Sequence, residues 1–441
     1  MTKLTKSVLI KEMETHLKPE DYNYDHRSNA EFVIDVMANI RKVQVAKMST
    51  FDNLMSGFLS LTAKYHEFGR CDYVFDMYSN APSVKDGERK RRCDKVPIEY
   101  SSIERSSPLP QEMGTFWPSN SNKLLVEKLI YCHLRTHAHT GQYPTVLGQV
   151  TTADEEWQCT KVHQGTEHVM AHLQSVVFEE ADLHIPMHVL DALNEGHKVC
   201  VVMSSDTNVT VALLYHMPVF LQHGIEELWV RAGVGDTTRY VPLHILFHIC
   251  AVLPAVHSLT GCDITSKVGT KKAALKAEPQ KLLKHFGSSP SLSPPILKNA
   301  ELYLIKVLNP RSDASNFSEF RAEVFHHTKG SALHNLHPTS QGILPHIKRS
   351  FYNAYTIMHS LDIHLDEETV VLVKPEDCGY EYDQDDLIPT TSWKTLEPHW
   401  SVSCTCMKCA RSTCPCRMAG VKCGHFYQCK KKSTACKNPI T

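Results

Sequence analysis

Three short apolar runs in the first half of the chain each end at an acidic residue, and this repeated pattern constrains the fold more than any other feature. Phe32-Val33-Ile34 runs into Asp35, Tyr73-Val74-Phe75 into Asp76, and Val199–Met203 into Ser204-Ser205-Asp206. Runs of this kind are apolar on both faces, as strands are in a parallel sheet covered by helices on each side. Helical patterns at Phe51–Ala63, Lys123–His137 and Asp182–Leu193 separate the runs, as the crossovers between parallel strands require. The expected fold class is α/β, a central parallel sheet flanked by helices. Ligands of such sheets sit beyond the carboxyl ends of the strands, so three acids at three strand ends can converge on one site. An Asp after a strand is also an ordinary helix cap. The functional reading therefore rests on the three together.

At 441 residues, 42% apolar and 22% charged, the chain can bury a real core and has room for a large domain and a small one. Four parts are expected. Residues 1–29 form a lead-in, and 30–290 an α/β domain interrupted by a flexible Pro- and Ser-rich insertion at 96–121. Residues 291–400 form a helical and mixed extension, and 401–441 a cysteine-rich module. The turn-rich Gly287–Pro295 marks the first boundary. Asp362–Asp386, with ten acids against one Lys, reads as an acidic linker. No run reaches the roughly 18 uncharged apolar residues of a membrane span. The charged first residues carry no secretory leader pattern. The expected compartment is the nucleus or cytoplasm.

In a reduced compartment, a dense cysteine cluster needs a metal rather than disulfides. Eight of the 16 cysteines crowd into the tail with the spacing C-x-C-x2-C-x4-C-x-C-x6-C-x5-C-x6-C. These are Cys404, Cys406, Cys409, Cys414, Cys416, Cys423, Cys429 and Cys436. Close C-x-C and C-x2-C pairs let one short segment supply several thiolates to Zn²⁺, so the tail is read as a zinc module. Residues 404–441 also hold eight Lys or Arg and no acid, within a chain whose net charge is only −1. A basic tail on an acidic body suits phosphate contact, with Phe426 and Tyr427 available for groove insertion. A protein-docking zinc knuckle is the quieter reading of the same tail.

Three stretches in chain order resemble the flap-endonuclease superfamily, whose fold is related to the PIN-like nucleases. The first is Val74-Phe75-Asp76 with the basic run Lys85 to Arg92. The second is Glu179-Glu180-Ala181-Asp182, a helix, and a strand ending Ser205-Asp206-Thr207-Asn208. The third is Leu259-Thr260-Gly261-Cys262-Asp263, followed by Val268-Gly269-Thr270-Lys271-Lys272-Ala273. The resemblance covers about residues 30–290 and implies a PIN-like sheet with a two-metal site. A second resemblance, to a multicopy, mobile-element-like group of animal proteins, adds His346-Ile347-Lys348-Arg349 and the cysteine tail. It implies nothing about activity. The tail itself resembles the tesmin-type CXC module, although that family has one more Cys in each unit, a place His425 can fill.

Two-metal phosphodiester cleavage needs carboxylates that hold hard cations, Mg²⁺ or Mn²⁺, beside the scissile bond. The resemblance implies Asp35, Asp76, Glu180, Asp182, Asp206 and Asp263 as that set. It implies Lys85, Arg89, Arg91 and Arg92 near the substrate, and Gly269, Lys271 and Lys272 on the nucleic-acid backbone. One position departs from the family: its second Asp after the strand is Asn208 here, which offers a carbonyl oxygen but no charge. The leading expectation is a divalent-metal-dependent, structure-directed nuclease acting on DNA, with RNA as a further substrate. The alternative is a catalytically degenerate nuclease fold serving as a DNA- or chromatin-binding scaffold through its zinc tail. The dispersed histidines, His244, His248 and His257 among them, read as core or surface residues.

Overall fold

The computed structural model of the protein describes residues 8–25, 29–78, 82–85, 96–151, 156–174, 179–233, 235–327, 336–362, 371–384, 386–390, 412–418 and 420. The strands are β1 Ala30–Asp35, β2 Gly69–Val74, β3 Thr145–Leu147, β4 Val150–Thr151, β5 Glu156–Trp157 and β6 Thr160–His163. They continue with β7 Thr166–Val169, β8 Val199–Met203, β9 Glu227–Ala232, β10 Arg239–Pro242, β11 Tyr380–Asp383 and β12 Asp386–Pro389. Eight of them form one sheet in the order β10-β9-β8-β1-β2-β3-β6-β7. The five strands β9-β8-β1-β2-β3 run parallel, and β10 and the β6–β7 hairpin add antiparallel edges. The fold is α/β with a large, mostly parallel central sheet flanked by helices. All three apolar runs lie on central strands. The hairpin departs from the pure parallel pattern because Gln164 and Gly165 both take positive φ, the two-residue turn that matches the twist of an antiparallel pair.

Strand alternation sorts side chains onto two faces. Ala30, Phe32, Ile34, Cys71, Tyr73, Phe75, Val201 and Met203 pack with the helices Phe51–Thr62 and Asn120–Ala138. Val33, Val74, Cys200 and Val202 face the helices Ala181–Asn194 and Thr207–Gln222. Gly69 is required where β2 meets β1, since a Cβ there would stand 1.8 Å from the Ala30 carbonyl oxygen.

Two expectations about organisation change. The 96–121 segment is not free of the body. Phe51 and Asp52 donate their N–H groups to the carbonyls of Ser107 and Arg105, and Leu109 donates to that of Ser49. Phe116 is fully buried against Phe51 and Tyr100. A few aromatic anchors thus hold a stretch whose Pro and Ser content suggested flexibility. Nor does Gly287–Pro295 separate two cores. Tyr303, Leu304 and Ile305 of helix Pro294–Leu308 and Ile347, Phe351 and Ala354 of helix Ser340–Met358 share one apolar core with Val211, Leu214 and Leu259. The turn signals there mark a bend within a domain.

At the amino ends of the strands lies a buried ionic network. Arg70 on β2 is fully buried. It grips Asp72 in a two-pronged pair at 2.8 and 2.7 Å, and reaches Asp191 at 2.6 Å and Glu195 at 3.0 Å at the far end of helix Ala181–Asn194. His188 adds a 2.8 Å bond to Asp72. Burial alone would raise the Asp72 carboxyl, but Arg70 and His188 hold it below the ordinary carboxylate range. Glu31 on β1 forms no ion pair among the described residues, although Arg70 lowers it somewhat. Burial and the neighbouring Asp72 push it well up, and the Cys200 thiol donates to it at 3.2 Å.

The core also fixes a histidine as neutral. His216 Nε2 bonds Ser360 Oγ at 2.8 Å and the Ile357 carbonyl at 3.2 Å, and burial lowers its pKa from 6.5 to about 4. A depressed histidine supplies stability that is whole above its unfolded pKa and is lost as the pH falls towards the folded value. Relative to His216→Gln, the wild type is therefore expected to lose about 3 kcal/mol of unfolding free energy between pH 7 and 4. Urea titrations of both proteins across that range check this; a pH-independent difference would show that His216 protonates as easily in the fold as out of it.

Candidate active site

The strand order places a topological switch at β1, which has β8 on one side and β2 on the other. The crevice outside the carboxyl ends at such a point is where open α/β sheets bind ligands. Asp35 ends β1, Asp76 follows β2, and Asp206 follows β8 as the N-cap of helix Thr207–Gln222. Asp182 enters from above, in the first turn of helix Ala181–Asn194. The same helix therefore carries acids at both ends, those at its far end tied to Arg70. Among the described residues, no Lys or Arg forms an ion pair with Asp35, Asp76 or Asp182.

Each carboxylate is held locally. Asp35 accepts from the Ala38 N–H at 2.8 Å and the Ser204 hydroxyl at 2.9 Å. Asp76 accepts from the Tyr78 hydroxyl at 2.6 Å and the Ala181 N–H at 2.9 Å, which ties β2 to the start of the 181–194 helix. Asp206 accepts from the Asn208 N–H at 2.8 Å. Among the described residues, Asp182 accepts only from the Asn208 side-chain amide, at 3.2 Å.

The electrostatics show that these groups feel one another. Burial and then Asp76 raise Asp35 from 3.8 to about 7, Asp206 adding to the repulsion. Burial and Asp206 raise Asp182 well above its ordinary value, with Asp35 and Asp76 contributing and Lys85 opposing. A carboxyl raised by burial beside other acids, as Asp35 and Asp182 are, is a feature of functional sites, and a cation relieves the repulsion. The donors are hard oxygens, the chemistry that suits Mg²⁺ or Mn²⁺. As the side chains stand, no three His, Cys, Asp or Glu among the described residues close on one point to hold an ion. Each carboxylate is instead held by local donors. The residues fit a hard cation in kind, and Asp35, Asp76, Asp182 and Asp206 are those that would hold it.

The other expected residues divide. Glu180 forms an ion pair with Lys85, and both line an open cavity of about 330 Å³ together with Asp182, Asn208, Ile264 and Tyr352. Lys85 is thus at the site. Asp263 is half-buried in the loop after helix Leu253–Leu259, next to Ile264 of that cavity wall. Lys271, expected on a nucleic-acid backbone, is instead turned into the protein. Its ammonium is buried and donates to the carbonyls of His257 (3.2 Å) and Gly261 (2.8 Å) and to Thr260 Oγ1 (2.8 Å). Burial lowers its pKa to about 8. Its role is to hold the Thr260–Asp263 loop. Gly269 has φ +62° and packs so close to Val307 that a Cβ would come within 2.5 Å of it; the glycine serves helix packing. Lys272 is exposed beside it. Arg89, Arg91 and Arg92 lie outside the described residues, as do Cys404, Cys406, Cys409, Cys423, Cys429 and Cys436. Cys414 and Cys416 are buried, the latter in the short helix Pro415–Met418.

Two residues that the motifs did not include bond directly to residues of the candidate site. His257 Nε2 donates to Asn208 Oδ1 at 2.8 Å, so the side-chain carbonyl of Asn208 is already engaged. Glu127, on helix Asn120–Ala138, is fully buried and accepts the Asp76 N–H at 3.2 Å. Its signal was present in the sequence, an acid in phase with the apolar stripe Val126, Ile130, Tyr131 and Leu134. Among the described residues no helix is long and apolar enough to cross a membrane. No protein-family model and no curated protein matches the sequence.

Proposed function

We propose that the protein is a divalent-metal-dependent, structure-directed nuclease acting on DNA, with a PIN-like, flap-endonuclease-like domain and a zinc-bound cysteine tail. The observation that carries this reading is the position of Asp35, Asp76, Asp182 and Asp206 around the switch point of the sheet, where burial and the neighbouring carboxylates Asp76 and Asp206 raise the carboxyls of Asp35 and Asp182. Bound Mg²⁺ or Mn²⁺ would supply an activated water and stabilise charge on the attacking and leaving oxygens. The chain's own residues supply the oxygens that hold the ions. Ser204, Tyr78 and the Ala38 and Ala181 N–H groups orient those oxygens. Lys85 beside the cavity, exposed Lys272 and the basic tail suit a phosphate backbone.

One observation favours a second reading, a DNA- or chromatin-binding scaffold on a retired nuclease fold. Asn208 is engaged on both sides of its amide, by Asp182 and by His257. A second cation would have neither a charge nor a vacant carbonyl there. The deciding experiment is cleavage of a 5′-flap DNA by the full chain in Mg²⁺ or Mn²⁺, beside Asp206→Ala and Asp263→Ala. Cutting by the wild type that is lost in Asp206→Ala supports the nuclease. DNA retained without cutting in either metal supports the scaffold, and salt-sensitive retention that vanishes without residues 404–441 assigns the affinity to the tail.

A further inference from the structure

Glu127 occupies a position that packing alone does not explain. It lies on the buried stripe of helix Asn120–Ala138, between Val126 and Ile130, with no exposed surface. One carboxylate oxygen, Oε1, accepts the Asp76 N–H; the other, Oε2, is buried with no hydrogen-bond partner among the described residues. An unsatisfied buried carboxylate oxygen is costly. The neutral amide of a glutamine would accept the same N–H, so a purely structural contact does not call for an acid here. The surroundings of Glu127 are those of the site: after burial, Asp76 is the largest influence raising it, and Asp35 also contributes. Its nearest cationic influence, Lys123, is one turn back on the same helix, with its ammonium over the Tyr78 ring and bonded to Asn120.

We infer that Glu127 is a further carboxylate of the cation site, with Oε1 positioning the Asp76 turn and Oε2 left for a divalent cation or a water of its shell. Mg²⁺ keeps several waters when bound and takes few carboxylates directly, so an outer oxygen of this kind is useful whether it reaches ion or water. This assignment rests on the cation chemistry proposed above. It adds a ligand from a helix that none of the three motifs touches. It also gives the site a fixed floor, since Glu127 acts on Asp76 through the backbone while Tyr78 and Ala181 act on its side chain.

The test is Mn²⁺ binding by calorimetry to the full, zinc-loaded chain, for wild type, Glu127→Gln, Glu127→Asp and Asp35→Asn, with folding followed by circular dichroism. Glu127→Gln keeps the shape and the acceptor for Asp76 but removes the charge. It is expected to weaken Mn²⁺ binding at least about tenfold, with cation-free thermal stability equal to or above that of the wild type. Glu127→Asp keeps the charge, withdraws it by one methylene, and is expected to lose affinity as well. Affinity equal to wild type in folded Glu127→Gln would overturn the assignment and leave the nuclease reading untouched. A wild type that binds Mn²⁺, loses affinity through Glu127→Gln and yet cuts no DNA would overturn the nuclease reading and leave Glu127 in the site. Mn²⁺ binding no different between wild type and Asp35→Asn would overturn both.

Discussion

Asp35→Asn is expected to abolish cleavage and, in the absence of divalent cations, to make the protein more stable. The two effects have one cause. Asparagine can keep an acceptor for the Ala38 N–H and face the Ser204 hydroxyl with its amide, so the turn after β1 survives. What disappears is a buried negative charge facing Asp76 and Asp206. The sign follows from the raised pKa. Below pH 3.8 the Asp35 carboxyl is protonated in both the folded and unfolded chain and costs nothing. As the pH rises towards about 7 the unfolded chain ionises first and the fold loses stability; above that the loss is constant. A displacement from 3.8 to about 7 corresponds to ~4 kcal/mol. In EDTA at pH 8 the variant should therefore exceed the wild type in unfolding free energy by up to ~4 kcal/mol, and at pH 3.5 by nothing. Adding Mg²⁺ should stabilise the wild type alone, by preferential binding to the folded state. Loss of a ligand should reduce cleavage by at least ~100-fold. Urea titrations in EDTA and in Mg²⁺, with flap cleavage alongside, separate these effects. A variant no more stable than wild type at pH 8 would refute the account of repulsion, and one that still cut at the wild-type rate would remove Asp35 from the site.

At the amino ends of the same strands the expectation reverses. Arg70→Met should destabilise the protein by about 3–5 kcal/mol, because removing one partner of a buried ionic group leaves the others uncompensated. Asp72, fully buried, and Asp191, nearly so, would lose their guanidinium, and the already raised Glu31 would lose a positive neighbour that lowers it. Methionine fills most of the volume, so the effect reads charge rather than a cavity. Combining Arg70→Met with Asp72→Asn should recover part of the loss, as the largest uncompensated charge goes with its partner. Denaturant unfolding at pH 7 measures both variants. A loss under about 1 kcal/mol for Arg70→Met would mean that water reaches the network and that burial is not its controlling feature.

The contrast between the two ends bears on function. Acids gathered for stability are accompanied by an arginine, and Arg70 satisfies Asp72, Asp191 and Glu195 together. At the carboxyl ends the fold bears the cost of Asp35, Asp76 and Asp182, with which no Lys or Arg among the described residues forms an ion pair, at the place where a ligand can enter. Proteins keep such costs mainly at functional sites, where pKa values are perturbed by design of the surroundings.

The sequence by itself determined the class of fold and the address of the acids. A two-faced apolar run that ends in Asp makes a buried parallel strand with its acid at the carboxyl end, and this local rule holds for Asp35, Asp76 and Asp206 without knowledge of distant residues. Lys271 and Gly269 could not be read this way, because a lysine beside a glycine-containing turn looks the same whether its ammonium meets a phosphate or three protein oxygens. Which it does depends on where the loop Thr260–Asp263 folds back and on the packing of Val307 against Gly269. Glu127 shows the complementary limit: its place in an apolar stripe was visible, but only the approach of its helix to the end of β2 turned a misplaced acid into a neighbour of Asp76. The sharing of one core across Gly287–Pro295 was likewise decided by tertiary packing. Turn residues report a local bend, whereas the burial of Tyr303 and Phe351 with Leu214 depends on contacts between segments far apart in the chain.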